Sequence, residues 1–158
     1  MGDPTRSRRY LEDVAVGRER TYGAYEVTEA EILAFANRYD PQAFHTDPEA
    51  AVESRFGGLI ASGWHTACIA MRLAVEQGYL TDLAVVAGVG IEGLRWTAPV
   101  RPGDVLSVRE AMLRKRPSES DPTTGLLDIE IEVTNQDGTT VLSMVWIDLV
   151  ERSPEAST

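Results

Sequence analysis

The stretch from Gly63 to about Gln77 constrains the fold most strongly, because it combines helical spacing with apolar side chains around most of its circumference. Its apolar members are Trp64, Ala67, Cys68, Ile69, Ala70, Met71, Leu73 and Val75. A helix that is apolar on nearly every side is typical of a buried position. Gly78 is a natural C-terminal stop. The rest of the chain must therefore cover this helix, and Cys68 is predicted to lie in the core.

Downstream of this helix, the pattern changes to that of strands. Apolar residues from Leu127 to Val133 alternate with Asp128, Glu130, Glu132 and Thr134, which predicts a strand with one solvent-facing side. Asn135 to Gly138 has the composition of a hairpin turn. Further candidate strands are residues 21–27, 83–99, 104–116 and 139–150. The sequence thus predicts an α+β fold in which an antiparallel sheet wraps around one long buried central helix.

Upstream, two helix boundaries enclose a short connection. Thr28 and Glu31 form a capping box for a helix that should end near Asp40, since Pro41 biases Asp40 away from helical geometry. Asp47 and Pro48 have the N-cap and first-turn pattern of a second helix, which we expect to run to Ser54. Asp40 and His45 are therefore predicted to lie on a constrained loop between two helices.

Asp40 and His45 are candidate catalytic residues, because a carboxylate and an imidazole that converge can activate one water molecule. A histidine with an ordinary pKa of about 6.5 can take up and return a proton near neutral pH. The alternative interpretation is that Asp40 ends a helix and His45 is an ordinary loop residue. The spacing by itself does not separate the two.

Ser62 and Gly63 open the apolar helix, whose free N–H groups and positive dipole end could stabilise a polarised carbonyl group. Gly63 leaves room for a ligand to approach that backbone. The alternative for Ser62 is a simple helix cap. His65, in the first turn, could reach such a site, although a core or interface histidine is the more ordinary interpretation.

Composition limits the remaining possibilities. The 158-residue length suits one domain, which we expect at residues 10–150 between flexible segments 1–9 and 151–158. A single cysteine excludes an internal disulfide, and no signal peptide or membrane span is evident, so we expect a cytoplasmic protein. The net charge of −10 argues against nucleic-acid binding. We expect no metal, because the few histidines and the lone cysteine show no ligand spacing.

The residues discussed above resemble a known family. The run from Phe35 to Thr66 is similar to the signature of the MaoC-like, (R)-specific enoyl-CoA hydratases of the hotdog superfamily, whose motif places an Asp and a His five residues apart before a glycine that opens the central helix. Residues 94–108, LRWTAPVRPGDVLSV, are similar to the family's second hallmark. In this chain Gln42 and Ala43 stand where the family usually has Asn and Pro. Met71 lies in a region where some members carry a serine.

The resemblance implies a hotdog fold and reversible syn hydration of a trans-2-enoyl-CoA to an (R)-3-hydroxyacyl-CoA. Asp40 and His45 match the catalytic pair, and Gly63 matches the glycine whose N–H polarises the thioester carbonyl. Ser62, Gln42 and His65 are the other candidate substrate-binding residues. No cofactor is expected beyond the CoA of the substrate. The alternatives are a hotdog acyl-CoA thioesterase and a non-catalytic acyl-thioester-binding subunit.

The expected assembly is a homodimer or a dimer of dimers, since pairing two sheets would cover one exposed edge of each. Arg114, Lys115 and Arg116 form either a solvated charge cluster or a contact for CoA phosphates.

Overall fold

The computed structural model describes residues 8–156. Its helices and strands are α1 (Glu29–Tyr39), α2 (Ala43–Thr46), α3 (Pro48–Val52), α4 (Gly63–Gln77), β1 (Glu19–Glu26), β2 (Val85–Trp96), β3 (Val105–Pro117), β4 (Thr124–Thr134) and β5 (Thr140–Glu151). Short 3-10 turns occupy Leu11–Asp13 and Tyr79–Thr81. No helix within residues 8–156 is long and apolar enough to cross a membrane.

The strands form one antiparallel five-stranded sheet in the order β1-β3-β4-β5-β2. The β4–β5 hairpin turns at Asn135–Gly138, as predicted, with Gly138 at a φ of 75°. Within residues 8–156, strand β2 pairs only with β5, and its register shifts near Gly88 and Gly90. Strands β1 and β2 are therefore the two edges of the sheet.

The core lies between the sheet and one face of α4. Ile69, Ala70, Leu73 and Ala74 of α4 pack with apolar side chains from β3, β4 and β5, which confirms the α+β architecture with a central helix. The expectation that α4 is covered on nearly every side is wrong for the single chain. Its opposite face is exposed and consists of Trp64, Cys68, Met71, Arg72 and Val75. Cys68 is therefore a surface residue, because the sheet covers only one side of the helix.

Asp128 was predicted to lie on the solvent-facing side of β4, and this second prediction is also wrong. Asp128 is buried, and its carboxylate pairs with Arg114 at 2.6 Å and with Arg116 at 2.9 Å. Lys115 turns to the other side of β3 and donates to the carbonyl oxygens of Leu11, Glu12 and Val14. All three cations thus have partners within the chain.

Local capping explains the helix boundaries. The side chain of Thr28 accepts from the N–H of Glu31, while the carboxylate of Glu31 accepts from the N–H of Thr28, so the predicted capping box is confirmed. Asp47 caps α3 as predicted by accepting from the N–H groups of Glu49 and Ala50, although α3 ends at Val52 rather than Ser54. The predicted loop between these helices contains the one-turn helix α2, which carries His45.

Both ends of the described chain contact the sheet. Arg9 forms a bridge to Leu83, and Arg8 pairs with Glu151, the last residue of β5. Arg152 pairs with Glu12 at 3.0 Å. Residues 1–7 of the predicted N-terminal segment and residues 157–158 of the predicted C-terminal tail lie outside the described part of the chain.

A buried polar network holds the C-terminal end of α4. Glu110 on β3 accepts from the hydroxyl of Tyr22 at 2.8 Å and from the N–H of Tyr79 at 3.2 Å. The hydroxyl of Tyr79 in turn donates to Asp148 on β5 at 2.5 Å. Gly78, which ends α4, has no room for a side chain because a Cβ there would meet the Tyr22 hydroxyl at 2.5 Å. Burial raises the pKa of Asp148, and the hydrogen bond from Tyr79 opposes this only in part.

Candidate active site

Asp40 lies immediately after α1, where Pro41 prevents the helix from continuing. Its N–H still donates to Ala36, so the residue is the C-cap of α1, as the sequence predicted. The side chain points back toward α2 and the start of α4. The end of α1 thus determines the position of Asp40, and α2 and the start of α4 provide its partners.

His45 lies on α2 and is almost completely buried. Its Nδ1 is 2.8 Å from the carbonyl oxygen of Ile60, and its Nε2 is 3.3 Å from Oδ2 of Asp40. A carbonyl oxygen can only accept, so Nδ1 carries a proton. In the neutral ring, Nε2 is then the acceptor atom and faces the carboxylate. The structure brings the predicted pair together.

Two side chains hold the Asp40 carboxylate. The hydroxyl of Ser62 donates to Oδ2 at 2.7 Å, and the amide of Gln42 donates to Oδ1 at 2.7 Å. Burial raises the pKa of Asp40, but these hydrogen bonds, together with His45, outweigh burial and hold the pKa below its usual range. Asp40 is therefore a carboxylate at neutral pH.

Ser62 occupies the N-cap position of α4 but makes no side-chain hydrogen bond to the helix. The simple-cap interpretation is therefore wrong, because the hydroxyl, in a fully buried side chain, is directed to Asp40 instead. No side chain within residues 8–156 caps this end of α4. The N–H groups of its first turn remain available to a ligand.

An open cavity of about 360 Å³ adjoins His45 and the first residue of α4, Gly63. Its walls are mainly apolar and include Phe44, Phe56, Ile60, Trp96, Val100 and Val141. The rings of Phe44 and Phe56 lie 5.3 Å apart. An apolar cavity with a few polar groups at one end is typical of a binding site for an apolar ligand with a reactive polar end.

Gly63 faces Trp96, the last residue of β2. A Cβ built on Gly63 would lie 2.3 Å from the indole Nε1, closer than any real contact. Glycine is thus required here by a neighbour within the chain. This contact was not evident from the sequence, because Trp96 is far away in the chain.

His65 lies outside the cavity lining. Its ring stacks on Phe35 at 4.8 Å and 8°, and its Nδ1 is buried without a hydrogen-bond partner among residues 8–156. Burial lowers the pKa of His65, and the charge of Glu31 opposes the shift. The structure therefore places it as a packed, neutral histidine, and it does not bring it to Asp40.

The sequence did not reveal one further feature of the site. The carbonyl of Ile60 orients His45, and no sequence signal exists for a backbone acceptor of this kind. The Arg114–Arg116 cluster lies outside the cavity lining, and its cations are paired as described above. Within the described residues, no three His, Cys, Asp or Glu side chains are grouped so as to hold a metal ion.

Chemically, the arrangement presents two acceptor atoms, Oδ2 of Asp40 and Nε2 of His45, side by side. One water molecule could donate to both and direct its own lone pair toward a bound molecule. The N-terminal end of α4 could accept a carbonyl oxygen nearby.

Most of the chain is similar in sequence to known proteins. Residues 13–134 match the family model described as the MaoC like domain. The uncharacterized protein YdeM of Bacillus subtilis is 32% identical over 126 residues, which cover 80% of this chain and 87% of that protein. The 3-hydroxyacyl-thioester dehydratase Z of Mycobacterium tuberculosis is 32% identical over 78 residues, which span 49% of this chain and 52% of the dehydratase.

A solved structure is similar over almost the whole chain. The crystal structure of the MaoC-like dehydratase from Rhodospirillum rubrum has a TM-score of 0.84 and 42% sequence identity, and the match covers 92% of this chain and 99% of that one. The similarity confirms the hotdog architecture expected from the sequence. The chain belongs to the MaoC-like dehydratase family of hotdog-fold proteins.

Proposed function

We propose that the protein is a hydro-lyase that acts on acyl thioesters, catalysing reversible syn hydration of a trans-2-enoyl-CoA to an (R)-3-hydroxyacyl-CoA. One observation carries the proposal: Oδ2 of Asp40 lies 3.3 Å from Nε2 of His45 beside an apolar cavity. The membership of the family and the relative that acts as a 3-hydroxyacyl-thioester dehydratase support the reaction class. No cofactor is required beyond the CoA of the substrate.

In the hydration direction, one water molecule would donate hydrogen bonds to both Asp40 and His45 and attack C3 of the enoyl group. The proton that the water loses passes to this pair, and a proton from the pair is delivered to C2 on the same face. The C3–O and C2–H bonds form as the double bond is lost. Charge that develops on the thioester oxygen would be stabilised by the N–H of Gly63 at the start of α4.

The roles of Asp40 and His45 follow from their partners. Ser62 and Gln42 keep Asp40 ionised, so it can accept a hydrogen bond from water throughout the neutral range. Ile60 keeps the proton of His45 on Nδ1, so Nε2 is free to accept and return a proton. Gln42 therefore acts on Asp40, whereas the sequence pointed to contact with the substrate.

We also propose a homodimer as the working unit. The exposed face of α4 carries Trp64, Met71 and Val75, and Trp64 packs against Trp96 at the end of the edge strand β2. Exposed apolar side chains of β2 include Val86, Val89 and Ile91. A second copy would cover both surfaces and pair the edge. A dimer of dimers and the cytoplasmic location stay predictions from the sequence.

The test is a panel of trans-2-enoyl-CoA substrates of increasing chain length, followed by loss of the enoyl absorbance and by release of free thiol. Hydration removes the first signal without producing the second. Thiol release without hydration would support the thioesterase alternative instead. Binding with neither signal would support the non-catalytic subunit.

Asp40→Asn provides the matched variant, because the amide fills the same space but cannot accept the proton. We expect a fall in kcat/KM on the order of 100-fold or more, the usual size of an acid–base contribution. The fold should be retained, as judged by circular dichroism. Near wild-type turnover in both Asp40→Asn and His45→Ala would refute the assignment.

A further inference from the structure

The side chain of Trp96 lies directly against the start of α4. The pyrrole edge of its indole is the nearest group to Gly63: a Cβ on Gly63 would be 2.3 Å from Nε1, 2.4 Å from Cε2 and 2.7 Å from Cδ1. The ring also packs edge-on against Trp64, at 5.2 Å and 76°. The indole is thus held between the N-terminal end of a helix and the end of an edge strand.

Trp96 shares the cavity lining with His45 and Gly63. In the reaction proposed above, C1 of the thioester lies at the N–H of Gly63 and C3 lies at the Asp40–His45 pair. C2 lies between them. The indole packed on Gly63 therefore borders the space in which C1 and C2 would lie.

We propose that Trp96 is a specificity-determining residue that selects enoyl thioesters without a branch at C2. This inference rests on the proposed function. The plane of a trans-2-enoyl thioester includes any substituent on C2, so a methyl group there cannot turn out of the way. It would have to occupy the space that the indole fills beside Gly63.

The size of the effect follows from packing. One additional methyl group in a well-formed pocket changes kcat/KM by about 10–200-fold in known enzymes. The atoms nearest to the Cβ position of Gly63 all belong to Trp96, whereas Phe56 and Val141 are other members of the same cavity lining. The selection against branching should thus reside in one side chain.

The experiment compares trans-2-butenoyl-CoA with trans-2-methyl-2-butenoyl-CoA on the full chain. The wild-type protein should prefer the unbranched substrate by about 10-fold or more in kcat/KM. Trp96→Leu should lower this ratio of kcat/KM values by about tenfold, mainly because kcat/KM rises for the branched substrate. Trp96→Phe retains a ring at the same place, and its substrate preference should lie between those of the wild type and Trp96→Leu.

Leu113→Ala is the matched control, because Leu113 is 44% exposed on β3 and Trp96 is 47% exposed on β2, yet only Trp96 lines the cavity. It should keep the wild-type preference. An unchanged preference in folded Trp96→Leu and Trp96→Phe proteins would overturn the inference and leave the hydratase assignment standing.

Binding separates the inference from the proposed function. Butyryl-CoA and 2-methylbutyryl-CoA have no double bond to hydrate, and calorimetry measures their affinity directly. The wild-type protein should bind butyryl-CoA more tightly than 2-methylbutyryl-CoA. In Trp96→Leu the ratio of the two affinities should fall by about tenfold. If this difference appears but no enoyl thioester is turned over, the hydratase proposal fails and the selection by Trp96 stands. If neither thioester binds to either protein, the selection by Trp96 is refuted, and the enoyl-CoA assay alone decides the hydratase proposal.

Discussion

Asp40 is the residue on which the site depends, and its two oxygens have three partners. Ser62 and His45 share Oδ2, while Gln42 occupies Oδ1. A carboxylate held in this way stays ionised and keeps one orientation, which suits an acceptor for water. The same hydrogen bonds make it a weaker base than a free carboxylate.

Ser62→Ala tests this balance. The lowered pKa of Asp40 depends on the hydrogen bond from Ser62 against the opposing effect of burial, so its loss should raise that pKa. The acidic limb of the kcat/KM against pH profile should then move to higher pH. We expect a fall of about tenfold at neutral pH, because the carboxylate loses a hydrogen bond that holds it in one orientation, and hydrogen bonds to charged groups contribute roughly 1.5–3 kcal/mol.

Ser54→Ala is the control for Ser62→Ala, since the hydroxyl of Ser54 donates to the carbonyl of Ala51 and does not contact Asp40. Its pH profile should match that of the wild type. A Ser62→Ala profile with an unmoved acidic limb would show that Ser62 has only a packing role.

At the scale of elements, the contact between β2 and α4 determines which residue can open the helix. The sequence pointed to a glycine that leaves room for a ligand. The structure shows that the space beside Gly63 is already occupied by Trp96. A methyl group on residue 63 must therefore displace the indole before it affects any substrate.

Gly63→Ala should consequently be coupled to Trp96. Gly63→Ala alone should lower the melting temperature as well as kcat/KM, because overpacking commonly costs about 1–3 kcal/mol. In the Gly63→Ala, Trp96→Leu double variant, most of the stability loss should be recovered. Thermal melts of the four proteins in this double-mutant cycle measure the coupling, and strictly additive effects would contradict it.

Two buried aspartates on neighbouring strands have opposite electrostatic roles. Burial raises the pKa of Asp148, whose partner is a tyrosine hydroxyl. Burial also tends to raise the pKa of Asp128, but hydrogen bonds and charges from Arg116 and Arg114 outweigh burial and lower this pKa. Burial thus disfavours the charged form of Asp148, whereas the arginines favour the carboxylate of Asp128.

Asp148→Asn should therefore stabilise the protein at neutral and higher pH. The unfolded chain ionises this carboxyl near a pKa of about 3.9, whereas the folded chain retains the proton to higher pH, so wild-type stability falls as pH rises through the raised pKa. Asparagine stays neutral and avoids this loss. The expected gain of about 1 kcal/mol corresponds to a rise of roughly 2–4 °C in Tm.

Asp128→Asn should show the opposite sign. The stability that its carboxylate contributes is present at neutral pH and is lost as pH falls through its lowered pKa. The variant should thus melt below the wild type at neutral pH, and the difference should shrink in acid. Scanning calorimetry across a pH series measures both variants, and equal signs would contradict the assigned roles.

At the scale of the whole molecule, the chain shows one incompletely covered side. The face of α4 that the sheet leaves uncovered and the edge strand β2 both carry exposed apolar side chains, and they meet at Trp64 and Trp96. The net charge of −10 keeps such a protein soluble without covering this surface. A second copy of the chain would cover it.

Light scattering at micromolar concentration should therefore give the mass of two chains. Ile91→Glu, which places a charge on the exposed part of β2, should shift the mass toward one chain and lower hydratase activity. Leu113→Glu adds the same charge to an exposed residue on β3 and should leave the mass unchanged. A monomeric wild-type sample that retains full activity would exclude the dimer as the working unit.

The sequence by itself determined the features that depend on near neighbours. The capping box at Thr28, the end of α1 before Pro41, the limits of α4 and the β4–β5 hairpin all follow from spacings of a few residues. The spacing of Asp40 and His45 likewise made these residues candidates, and the structure brings their side chains together. These predictions were accurate because capping and periodicity are local properties of the chain.

Only the tertiary structure decided which distant groups meet. The hydroxyl of Ser62 leaves its own helix for Asp40, the Nδ1 of His45 finds the carbonyl of Ile60, and Trp96 covers Gly63. The same applies to the burial of Asp128 between arginines and the exposure of Cys68. Alternation and helical spacing assign a residue to a face, but what covers that face depends on how separate elements pack, and local patterns do not encode that packing.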